Sequence, residues 1–250
     1  MMKYLTPLLR PRILSLAIVA LAAGTTGAVL ADQTSLKPDT DRANIERIVR
    51  EYILANPEII PEAMTQLQNR EVSRMLASNR QEIETAWPGA TAGNPKGDVA
   101  IVVFFDYACP FCKQGAADIN TLIEQDKNLK IVFRDFPVLS PESETAAMAS
   151  LSAGSQGRYL KFHDAMFEGK GRVTQERIIA TVRTAGLNEK TTATGLTAAA
   201  SKAEIKRNLD LGRALGLSGT PSYIIGDRIL SGAVGIDALK SAVAEARAAS

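Results

Sequence analysis

The sequence predicts an α/β fold with a helical arm before it and an all-helical insertion inside it. Three observations predict this. A near-continuous apolar run, Val99–Phe105, ends against a Cys-x-x-Cys pair and an amphipathic stretch at residues 113–123, which reads as a buried strand feeding a helix. A second strand at residues 130–136 is followed by helical periodicity over about residues 140–217, and only then by two short β runs. Upstream, apolar residues recur at helical spacing from Ile45 to Ile83.

The first residues read as a targeting segment. Lys3, Arg10 and Arg12 form a basic region, residues 13–23 an apolar core too short to span a bilayer comfortably, and Val29-Leu30-Ala31 a small-residue cleavage site. Residues 1–31 are therefore expected to be a secretory signal peptide. Export implies an oxidising compartment that tolerates disulfides. The whole chain carries a formal net charge of +2, and the expected signal peptide holds three basic residues and no acid, so the mature chain is close to neutral. That excludes the marked basic excess of a nucleic-acid footprint.

Residues 32–87 read as an N-terminal helical arm. Ile45, Ile48, Val49 and Tyr52 follow the i, i+3, i+4, i+7 stripe. Asn56-Pro57 reads as an N-cap with proline at the first helical position, opening a second helix to about Trp87. Ile60, Met64 and Leu67 line one face of it and Val72, Leu76 and Ile83 another. The five-residue step from Leu67 to Val72 argues against a sustained heptad coiled coil. The stripes need a partner, and self-association into a homo-oligomer through the arm is the expectation. Residues 88–97, rich in Pro and Gly, read as a linker, and residues 98–250 as the main domain.

Within that domain, Ile131 and Phe133 share one strand face, while Arg134 and Asp135 suggest shallower burial. Ser140-Pro141 opens a helix by the same cap-plus-proline rule. Tyr159, Phe162, His163 and Met166 share a helical stripe, and Thr174 caps a helix that Gly186 ends. Ser222–Ile225 and Arg228–Ser231, joined by Gly226-Asp227, form a β-hairpin. Residues 236–248 form a final helix.

Cys109 and Cys112 are the chain's two cysteines, placed where strand meets helix. Unpaired N–H groups and the positive end of the helix dipole there favour a thiolate. Cys109 is thus the expected nucleophile, and Cys112, one turn on, the residue that resolves a mixed disulfide. A purely structural disulfide would close too small a loop to restrain the unfolded chain much. A zinc site needs about four ligands, and His163 is the chain's sole histidine. No resident metal or cofactor is expected beyond the Cys109–Cys112 disulfide, although two thiolates also suit copper(I). Asp106 lies near the helix start, as a cap or as a carboxylate that tunes the cysteines. Lys113 is either such a tuner or an ordinary exposed lysine, and His163 reads as a packed core residue.

Three motifs in order carry a family resemblance: residues 104–112 (Phe-Phe-Asp-Tyr-Ala-Cys-Pro-Phe-Cys), Phe162-His163-Asp164, and Gly219-Thr220-Pro221-Ser222-Tyr223. The chain resembles the DsbA-like thiol–disulfide oxidoreductases of the bacterial envelope, and residues 48–58 look like the ScsC-like branch, whose helical N-terminal extension can oligomerise. The resemblance implies a thioredoxin fold with an all-helical insertion, and a periplasmic location. It also implies a cis Pro221 facing Cys109, with the Thr220 main chain available to an extended substrate.

Two departures bear on the chemistry. Pro110 and Phe111 stand between the cysteines where the best-known oxidase has a histidine, which implies a less oxidising couple. Threonine before Pro221 resembles the isomerase side of the family. The reading is therefore a disulfide isomerase or reductase acting on unfolded or misfolded envelope proteins, with a membrane partner resetting the cysteine pair. The alternatives are a monomeric DsbA-like oxidase and a copper(I)-binding thiol protein.

Overall fold

The computed structural model describes residues 38–249, so the expected signal peptide lies outside the described residues. The chain divides into two compact units between Asn56 and Pro57. The first contains helix α1 (Pro38–Ala55). Its stripe of Ile45, Ile48, Val49 and Tyr52 is exposed, and its outer turns carry Arg42–Glu46 and Arg47–Glu51 pairs at i, i+4 spacing. Asn56 does not open the next helix as expected. Its amide donates to Tyr52 O at 2.8 Å, closing the end of α1.

The second unit begins with α2 (Ile59–Glu84). Ile60, Met64 and Leu67 are exposed, but Leu76 and Ile83 are fully buried, with Val72 and Met75 packed beside them. The expected arm of residues 32–87 therefore does not stand apart over its whole length. The second register of α2 covers one face of the sheet, and each buried aliphatic side chain contributes about 1.5–3 kcal/mol. Arg80 fastens the same helix to the hairpin turn through Gly226 O and Asp227.

The expected linker, residues 88–97, also contains structure. It holds the short strand β1 (Thr91–Gly93), antiparallel to β3 (Leu129–Asp135). Gly93 has φ +73°, and a Cβ there would collide with Leu129 O, so the close pairing needs glycine.

Strand β2 (Val99–Phe105) lies at the centre of the sheet, parallel to β3 and antiparallel to β4 (Ser222–Ile225), with β5 (Arg228–Ser231) at the edge. The sheet order is β1-β3-β2-β4-β5. Strand alternation sends Ile101, Val103 and Phe105 to one face, where they meet α3 (Pro110–Gln125) and α9 (Ile236–Ala248). Val102 and Phe104 go to the other, against α2 and α8 (Ala199–Ala214).

Between β3 and β4 run α4 (Pro141–Ser155), α5 (Tyr159–Glu168), α6 (Gln175–Thr184), α7 (Glu189–Gly195) and α8, the expected all-helical insertion. Ser140, Thr174 and Asn188 each accept a backbone N–H as N-caps. Architecture and order together make this an α/β thioredoxin fold with a helical insertion.

Arg134 and Asp135 are more deeply buried than the sequence suggested, at 2% and 1% exposure. Arg134 meets Glu204 at 3.3 Å and Asn208 at 2.7 Å, and donates to the carbonyls of Glu82 and Thr85 at the end of α2. Asp135 accepts from Ser150 at 2.6 Å and Tyr159 at 2.9 Å. Polar residues enter this core because partners on four helices satisfy them.

Candidate active site

Strand β2 ends at Phe105, and α3 begins five residues later, at Pro110. Cys109 is its N-cap residue, in extended conformation, and Pro110 occupies the first turn, where a missing N–H costs no hydrogen bond. Cys109 N donates to Asp106 O at 3.1 Å, and Cys109 O accepts from Cys112 N at 3.1 Å. The nucleophile candidate therefore sits at the positive end of the helix.

Asp106 does not cap α3. One carboxylate oxygen accepts the Ala108 N–H at 2.7 Å, and the other accepts Val138 N–H at 2.9 Å and Leu139 N–H at 3.0 Å. It joins the cysteine turn to the loop after β3.

The peptide bond between Thr220 and Pro221 is cis. Cys109 Sγ donates to Thr220 O at 3.2 Å, across 111 residues of sequence. Both cysteines are free thiols in this structure. Cys109 is 5% exposed and Cys112 2%. Cys109 nonetheless lines an open cleft of about 320 Å³ between the start of α3 and the loop joining α5 to α6, which gives it a route to solvent. Burial pushes the Cys112 thiol well above its ordinary pKa. Its proton is therefore retained until a partner sulfur draws it into reaction. Phe111, between the two, is 60% exposed and offers an apolar contact at the rim.

The structure thus brings Cys109, Cys112, Pro110, Thr220 and Pro221 together, with Asp106 bracing them from behind. Lys113 is turned away from a purely solvated position: its ammonium is held by Glu168 O at 3.3 Å and Gly169 O at 3.1 Å. His163 is a core residue, packed on Phe105 and Phe133 and 3.3 Å from Tyr107 Oη. Burial lowers its pKa to about 3, so the ring is neutral.

Sequence reading missed one residue that shapes the site, Gly115. A Cβ on Gly115 would collide with the Tyr223 hydroxyl and lie 3.6 Å from Pro221 Cγ. Gly115 therefore lets the proline loop approach α3. An interior helical glycine was the available signal.

Residues 100–244 match the DSBA-like thioredoxin domain. The chain belongs to that family. Outside the DsbA-like domain, residues 41–71 match the N-terminal domain of the copper resistance protein ScsC. A thioredoxin-like oxidoreductase from Silicibacter pomeroyi is 36% identical, with a TM-score of 0.63 over 65% of this chain and 95% of that one. The thiol-disulfide exchange protein alpha-DsbA2 from Wolbachia pipientis is 30% identical, with a TM-score of 0.66 over 72% and 97%. A linker-deletion mutant of Proteus mirabilis ScsC is 26% identical, with a TM-score of 0.67 over 90% and 100%.

Among curated proteins, 156 residues are 26% identical to the Na(+)/H(+) antiporter NhaA 1 of Salinispora arenicola. The chain spans about a quarter of the length of the curated relatives it matches first, 24% in each. No helix among the described residues is long and apolar enough to cross a membrane.

Proposed function

We propose that the protein is a thiol–disulfide oxidoreductase of the bacterial envelope, working as an isomerase or reductase on unfolded or misfolded secreted proteins. The observation that carries this reading is the 3.2 Å approach of Cys109 Sγ, at the mouth of α3, to the carbonyl of Thr220 in the cis-proline loop. It places a nucleophilic sulfur beside a half-exposed stretch of main chain on which an extended client can lie.

The Cys109 thiolate attacks one sulfur of a client disulfide. A Cys109–client disulfide forms, the client S–S bond breaks, and the second client sulfur leaves as a thiolate that takes a proton from water. In isomerisation, a different client thiolate then attacks the client sulfur joined to Cys109; a new client disulfide forms, the Cys109–client bond breaks, and Cys109 leaves as the thiolate it began as. In reduction, Cys112 attacks the Cys109 sulfur, the Cys109–client bond breaks, and the Cys112 proton passes to the departing client sulfur. The Cys109–Cys112 disulfide forms, the client leaves as a dithiol, and two electrons have passed from enzyme to client. A membrane redox partner then returns the pair to the dithiol.

Two features favour rearrangement over oxidation. Pro110 and Phe111 supply no charged group to stabilise the reduced form, and Thr220 precedes the cis proline. The exposed stripe of α1 and the ScsC-like segment support a homo-oligomer held through the arm, and the expected signal peptide supports a periplasmic site. Reactivation of scrambled ribonuclease tests the reading. The wild type restores activity and Cys109→Ser does not; equal rates for both contradict it. Gel filtration of the mature chain against one starting at Pro57 tests the oligomer.

A further inference from the structure

The cleft that opens onto Cys109 has a one-sided charge. Lys113, Lys170, Arg172 and Arg177 line it, and no aspartate or glutamate does. Elsewhere, arginines on this surface find carboxylates: Arg80 meets Asp227 at 2.6 Å, Arg183 meets Glu189 at 2.9 Å, and Arg247 meets Asp98 at 2.6 Å. Among the described residues, none of the four cleft cations forms an ion pair.

The four divide into two roles. Lys113 and Arg177 brace the loop between α5 and α6. Lys113 donates to Glu168 O and Gly169 O; Arg177 donates to Gly171 O at 2.7 Å and also to Met166 O. The Nε of Arg177 is buried without a hydrogen-bond acceptor. Lys170 and Arg172 are exposed, and neither makes a hydrogen bond among the described residues. They are held at the mouth of the cleft with their charge unspent.

We propose that this cleft recognises carboxylate side chains flanking a client cysteine, so that disulfides in acidic segments are exchanged fastest. The proposal rests on the disulfide-exchange reading and names its substrate class. The cleft does not include Thr220 or Pro221, so it meets Cys109 from a different side than the proline loop. A client lying on Thr220 and reacting at Cys109 continues into a field of four cations. At about 320 Å³ the cleft accepts a side chain or two, not a folded partner. A concave site lined by one sign of charge concentrates the opposite sign and raises the encounter rate.

The test uses three peptide disulfides identical but for the residues beside the cysteine, which are glutamates, glutamines or lysines. Exchange with the reduced wild-type protein is followed by acid quench and mass spectrometry. The glutamate peptide is expected to react about tenfold faster than the glutamine peptide and the lysine peptide more slowly still. About 0.5 M salt is expected to remove most of that spread. The double variant Lys170→Gln/Arg172→Gln keeps the glutamine-peptide rate and loses the preference. Equal rates for all three peptides, or a preference that survives in the double variant, overturn the proposal and leave disulfide exchange standing. Failure to react with any peptide removes the exchange reading and the proposal with it.

Discussion

Asp106 Oδ2 accepts the N–H of Val138 at 2.9 Å, while its other oxygen accepts the N–H of Ala108. One buried carboxylate thus fixes the turn that presents Cys109 to the loop that follows β3. Asp106→Ala leaves three backbone N–H groups without an acceptor. It is expected to lower unfolding free energy by about 2–4 kcal/mol, since charged hydrogen bonds contribute about 1.5–3 kcal/mol each and water replaces part of the loss. Urea denaturation measures the first effect. The account also requires slower exchange at Cys109 in the folded variant, measured under native conditions.

Asp135 and His163 make opposite demands on pH. Burial raises the Asp135 pKa from 3.8 to about 7, so the folded state holds a proton that the unfolded chain releases. That contribution is complete below about pH 4 and is lost as pH rises towards 7. Burial lowers the His163 pKa from 6.5 to about 3. There the unfolded chain binds the proton first, and stability is lost as pH falls from about 6.5 towards 3. Between pH 4 and 6.5 the two slopes oppose each other. Asp135→Asn is expected to unmask a loss of stability towards acid, and His163→Phe a loss towards neutral pH. Each unmasked slope approaches about 1.4 kcal/mol per pH unit. Thermal melts across that window measure both, and parallel pH profiles for all three proteins would contradict the assignment.

Arg134 joins three elements at once. Its guanidinium pairs with Glu204 on α8 and serves the carbonyls that end α2. Arg134→Met removes the charge and leaves Glu204 and those carbonyls buried, which is expected to cost about 3–5 kcal/mol. Pairing it with Glu204→Gln should return part of that loss, because a buried carboxylate left with Arg207 as its one cation is replaced by a neutral amide. Hydrogen exchange should show the last turn of α2 opening before the sheet does in the single variant.

Gly115 and Tyr223 form a close contact between α3 and β4. Gly115→Ala introduces a methyl group where the Tyr223 hydroxyl already stands. The expected destabilisation is about 1–3 kcal/mol, the usual cost of overpacking. Tyr223→Phe removes the obstructing oxygen and should recover most of it. A double-mutant cycle reports this coupling directly, and additive effects would contradict the contact.

Much of this architecture was legible in the residues. The strand–helix junction at Cys109, the helical insertion with its Ser140 and Thr174 caps, and the hairpin at Gly226-Asp227 each follow from local spacing. What escaped was non-local. Thr91-Ala92-Gly93 carries no strand signature and becomes one through its pairing with β3. The charges of Arg134 and Asp135 argued for exposure because their partners, Glu204, Asn208, Ser150 and Tyr159, lie far along the chain. The change of register after Leu67 was visible, but that it marks where α2 starts to cover the sheet was not. At the site, the cysteine pair was legible from its spacing, and the Thr220-Pro221 loop only through the family resemblance. The basic loop at Lys170 and Arg172 was not, because only folding brings it to Cys109.

The central claim is that Cys109 is the sulfur that attacks. Cys112→Ser, mixed with a client disulfide and quenched with acid, measures this most directly. The account predicts a stable mixed disulfide through Cys109, one client per protein chain, which no longer resolves. A variant that forms no adduct, or a Cys109→Ser protein that forms one through Cys112 at the wild-type rate, would contradict it.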